Sequence, residues 1–130
     1  MSGFDTLNEI LLFVAGVYTL ALIVFHLLFG RIFGWPKSLS GLDPVNRSTM
    51  QVLNLSITFI LGIFAWLSFF HADELLDTEL GRTLLILVSA LWLFRAGLQI
   101  WFYGLGHKLS FGLFGYFLLG AVLYGMPLVV

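Results

Sequence analysis

The chain has 130 residues, of which 60% are hydrophobic, 17% aromatic and only 10% charged, with a formal net charge of −1. A soluble domain is about half apolar and about a quarter charged, so a water-soluble globule is excluded, and with no basic patch or arm so is a nucleic-acid partner. No cysteine occurs, which removes disulfides, thiolate metal sites and cysteine nucleophiles.

Asp5 and Glu9 stand where a signal peptide would carry basic residues, and no lipidation motif is present. The first apolar run, Ile10–Phe29, therefore reads as a membrane span, with a helix over about 7–30 that Gly30, Gly34 and Pro36 bring to an end. Asp43-Pro44 is an N-cap followed by proline at the first helical position. It opens a second helix, 44–71, whose apolar part is Val52–Phe70. An acidic connection from His71 to Leu80 leads to a third helix, 79–103, capped by Asp77 or Thr78 and apolar from Thr83 to Tyr103. Arg82 is expected to pair with Asp77 or Glu79 at its start. Gly104 and Gly106 separate it from a fourth helix, 109–129, within the run Leu109–Val130, with Ser110 as a cap. Each run has about the 20 residues that carry a helix across hydrocarbon. The predicted fold is an all-α membrane protein, one transmembrane domain over 1–130, built as an antiparallel four-helix bundle.

Basic residues orient it. The first connection carries Arg31, Lys37 and Arg47, and the third Lys108, whereas the second has four carboxylates against Arg82. The positive-inside rule puts the first and third connections in the cytoplasm and both termini outside, with Val130 at the outer interface. The expected location is a bacterial cytoplasmic membrane, multi-pass.

Polar residues then share one depth. Arg47, Gln51, Asn54 and Thr58 follow an i, i+4, i+7, i+11 stripe continued by Gly62 and Ala65. Ala15, Thr19, Leu22 and His26 form a stripe on the first helix, and Trp92, Arg95, Gln99 and Phe102 a face on the third. Small and polar positions are those that membrane helices turn toward each other. The reading gathers His26, Gln51, Asn54, Arg95 and Gln99 in the cytoplasmic half, with Trp92 beside them and Tyr103 and His107 at the mouth. An intramembrane arginine costs about 2.5–3.5 kcal/mol on insertion scales. No carboxylate occurs at its depth to offset that. The expected function is binding of an amphiphilic anionic or quinone-like ligand, with Arg95 as anchor and membrane lipids around it.

Three other readings compete. In one, the amides and His26 serve only as interhelical contacts of a structural or accessory subunit, in a homo-oligomer or a larger membrane complex. Catalysis or proton-coupled transport would rest on His26, the one general acid or base of the cluster, but no nucleophile or catalytic signature accompanies it. Metal or haem has too few ligands in His26 and His107, so the sequence specifies no cofactor. The acidic turn at His71, Asp73, Glu74 and Asp77 reads as solvated.

Overall fold

The computed structural model describes the backbone over residues 3–129 and side chains from Thr6 onward; Asp5 and Val130, invoked above, lie outside the described side chains. The described chain is helical, without strands. The long helices are α1 (Gly3–Leu27), α3 (Pro44–Phe70), α5 (Glu79–Tyr103) and α6 (Lys108–Val129). Two short helices, α2 (Phe29–Ile32) and α4 (Ala72–Asp77), and a 3₁₀ turn at Lys37–Leu39 lie between them. All four long helices have the length and apolar content to cross a membrane. The chain divides into two compact units, Gly16–Trp66 and the flanking segments up to Ala15 and from Leu67 on.

In the unit Gly16–Trp66, α1 ends three residues before the expected position, because the chain turns at Leu28 and re-forms as α2, which takes Gly30 into its interior. Gly34, at φ +67°, supplies the left-handed turn that ends α2, and the Ser38 hydroxyl donates to the Phe33 carbonyl at 2.6 Å. Asp43 caps α3 as expected: one carboxylate oxygen accepts the Asn46 N–H at 3.4 Å, and the other takes the Asn46 side-chain amide. The Asn46 side chain is the main reason the Asp43 carboxyl titrates below its usual range. The polar stripe of α3 is its less exposed face: Arg47, Gln51, Asn54 and Gly62 are half-buried and Thr58 and Ala65 buried, between exposed Leu53, Leu55 and Phe59.

In the other unit the acidic connection is helical rather than a plain turn. Asp73 and Glu74 occupy the first turn of α4, where carboxylates complement the helix dipole, and His71 Nδ1 lies 2.8 Å from Glu74 Oε2. Thr78 joins two helices: its hydroxyl donates to the Glu74 carbonyl at 2.6 Å and accepts the Gly81 N–H at 2.9 Å, capping α5. Gly81 permits that junction. A Cβ there would sit 2.2 Å from the Glu74 carbonyl oxygen and 2.4 Å from Leu75 Cα, so only glycine lets the two backbones meet.

Helices α5 and α6 form an antiparallel hairpin around the turn at Gly104, whose φ is +71°. Arg82 reaches the Leu128 carbonyl, Ser89 the Ala121 carbonyl and Gln99 the Ser110 hydroxyl, so partners descend one helix as they climb the other. Arg82 thus satisfies an orphan carbonyl at the C-terminus of α6 instead of pairing with Asp77 or Glu79. Its inward face on α5 runs Gly81, Leu85, Val88, Trp92, Ala96, Gln99. Tyr124, 2% exposed, ties three helices: its hydroxyl lies 2.9 Å from Ser68 Oγ on α3 and donates to the Ala15 carbonyl of α1 at 3.4 Å.

Candidate functional site

The candidate residues form two clusters, one in each unit. In Gly16–Trp66, His26 and Asn54 are bonded twice. The Asn54 amide nitrogen donates to the His26 carbonyl at 3.0 Å, and Asn54 Oδ1 lies 2.8 Å from His26 Nδ1. The first bond fixes the amide orientation, so the oxygen facing the ring can only accept and Nδ1 must carry the proton. Asn54 therefore satisfies a carbonyl in the last turn of α1 while setting the tautomer of its histidine. The ring lies 4.4 Å from that of Phe29, which also meets Phe25, Phe33 and Trp35. Gln51 turns to its own helix, donating to the Arg47 carbonyl at 3.3 Å. On the far side of α3 from this stripe, Pro44, Val45, Ser48, Thr49, Val52 and Leu53 line a shallow open groove.

The second cluster is a relay along the α5–α6 hairpin. Arg95 Nη1 donates to Gln99 Oε1 at 3.1 Å, Gln99 Nε2 donates to Ser110 Oγ at 2.8 Å, and the Ser110 hydroxyl donates to the Gly104 carbonyl. Each donor has one acceptor, so the 1%-exposed Gln99 amide is satisfied at both ends. The Arg95 guanidinium lies over the Phe117 ring at 4.4 Å, and Trp92 stacks parallel to the same ring with centroids 6.0 Å apart. Arg95 itself is half-buried. Among the described residues no carboxylate lies within ion-pairing distance of it.

Two expectations change here, those for Phe102 and Ser110. Phe102 is 71% exposed rather than turned inward with Trp92 and Gln99, because Arg95 stands at the rim of the buried face and Phe102, two turns on, continues that rim. Tyr103 is exposed at the end of α5. Ser110 is not the cap of α6: the helix begins at Lys108, the Leu109 N–H bonds His107 Nδ1 at 3.2 Å, and Ser110 is drawn into the Gln99 relay.

Ser110, Phe117 and Tyr124 were missed as partners. Their spacing, i, i+7, i+14, puts them on one stripe of α6, so the serine in its first turn pointed along the face that contains the other two. Among the described residues no three His, Asp or Glu converge. The chain matches no protein-family model, no curated protein and no solved structure.

Proposed function

We propose that the four long helices cross a bacterial cytoplasmic membrane as an antiparallel bundle, and that Arg95 binds the headgroup of an amphiphilic anion or a quinone oxygen in the cytoplasmic leaflet. The membrane reading draws support from the surface of the helices, where Phe59, Phe94, Trp101 and Leu87 are all more than half exposed. Such a surface would drive aggregation in water and is stable against lipid. The positive-inside rule orients it as above.

The observation that carries the ligand reading is the guanidinium itself. It is half-buried in an apolar helix, gives one N–H to Gln99, rests on Phe117 and has no carboxylate partner among the described residues. A guanidinium presents several more N–H donors in a fixed fork, suited to a carboxylate, a phosphate or a carbonyl oxygen. Exposed Tyr103 offers aromatic surface for the chain or ring attached to that headgroup, while buried Trp92 and Phe117 back the guanidinium.

The structural-subunit reading has its own observation. His26 with Asn54, and Gln99 with Ser110, each make side-chain bonds within the protein, which suits interhelical contacts. The ligand role is therefore narrowed to Arg95. Gln99 positions it.

Native mass spectrometry of the gently solubilised protein, with lipid extraction, tests this. A stoichiometric lipid, fatty acid or quinone on the wild type that is lost in Arg95→Ala, with folding retained, supports it. An equally occupied ligand in Arg95→Ala, or a wild-type apoprotein alongside an Arg95→Leu variant of undiminished stability, favours the structural subunit.

A further inference from the structure

We infer that the α1–α3 connection and the first turns of α3 form a docking surface for anionic lipid headgroups, separate from Arg95. The inference rests on the membrane reading above and is independent of the Arg95 ligand. Arg31 and Lys37 are exposed and Arg47 is half-buried, and none of these side chains has a hydrogen bond or ion pair among the described residues. The segment holds one carboxylate, Asp43, and both of its oxygens are engaged by Asn46. Three cations thus stand without a counter-ion among the described residues.

Apolar side chains accompany them. Ile32 is 52% and Val45 72% exposed, with Phe33 and Leu42 close behind. The segment is nonetheless ordered: Leu39 is buried, the Ser38 hydroxyl bonds the Phe33 carbonyl, and Trp35 packs on Phe29 and Phe33. An ordered segment that exposes cations and large apolar groups together matches the headgroup layer, where phosphates meet the charges and acyl chains meet the rest. An acidic soluble partner would account for the cations and leave the apolar groups uncovered.

The test uses the full chain in nanodiscs of phosphatidylcholine with or without phosphatidylglycerol, counting retained lipids by native mass spectrometry. The wild type should hold phosphatidylglycerol over phosphatidylcholine, with the preference falling about fivefold for each of Arg31→Gln, Lys37→Gln and Arg47→Gln. Arg31→Lys with Arg47→Lys should keep it, which controls for folding. Arg95→Ala should also keep it while losing any single tightly held ligand, so the two sites fail separately. A wild type with no phosphatidylglycerol preference, a triple glutamine variant that retains it, or retention of an acidic protein in place of lipid would overturn the inference.

Discussion

Gln99→Glu is the most informative single substitution. It is nearly isosteric and places a carboxylate oxygen where the amide oxygen now stands, 3.1 Å from Arg95 Nη1. At an effective dielectric constant of about 20, opposite charges at that distance attract by roughly 5 kcal/mol before desolvation. Desolvating the new carboxylate costs several kcal/mol, and the donation to Ser110 is lost, so the net effect on stability should lie within about 2 kcal/mol of zero. The effect on an external anion is one-sided, because the charge that attracts it is cancelled internally. Losing even half of that attraction weakens anion binding by about a hundredfold. Thermal unfolding in detergent and native-mass-spectrometric occupancy of the co-purified ligand, measured on the same samples, separate the two effects. A Gln99→Glu protein that is folded and still holds its anion at wild-type occupancy would refute the reasoning.

Gly81→Ala should destabilise the protein by about 1–3 kcal/mol despite the better helix propensity of alanine, because the new methyl meets backbone atoms of Glu74 and Leu75 that have no rotamer to escape into. Chemical or thermal unfolding checks it; equal or greater stability would mean that α4 and α5 are free to separate. The absence of native cysteines allows clean topology mapping. In intact cells Ser38→Cys should resist a membrane-impermeant maleimide and Asp73→Cys should react, and the reverse pattern would invert the orientation. Asp43 has a depressed carboxyl pKa, so its stabilising contribution is present above the unfolded value of about 3.9 and fades as pH falls through the lower folded value. Hydrogen exchange at the first turn of α3 should rise below about pH 4 in the wild type and change less in Asp43→Asn, which still caps but does not titrate.

How far the sequence reached depended on whether a feature is local. Apolar runs and caps are local, and the long helices begin or end within a few residues of the expected positions; Thr78 caps α5 and Asp43 caps α3 as their residue types require. The stripe from Arg47 to Ala65 marks the less exposed face of α3, since polar and small residues at helical spacing define it. His26 with Asn54, and Arg95 with Gln99, are visible in the sequence as polar residues within apolar runs; that they bond in pairs, and in which orientation, depends on the neighbouring backbone. What escaped was carried by contact rather than composition. Gly81 looks like any helical glycine until α4 folds back on it. Phe117 and Tyr124 look like lipid-facing aromatics, because the residues beside them are as apolar as those they touch. The helix α4 hid in a polar stretch too short for periodicity to show.

The central claim is that Arg95 holds an anionic or carbonyl headgroup, and internuclear dephasing in lipid bilayers tests it most directly. Protein carrying ¹⁵N-arginine would be reconstituted with phosphatidylglycerol, observing ³¹P, and separately with carboxyl-¹³C palmitate, observing ¹³C. In the Arg31→Gln/Lys37→Gln/Arg47→Gln background the account predicts, for one of the two probes, a guanidino-nitrogen contact at hydrogen-bond range that disappears when Arg95→Ala is added. A contact that persists in that quadruple variant, or no contact with either probe in the triple background, would contradict it.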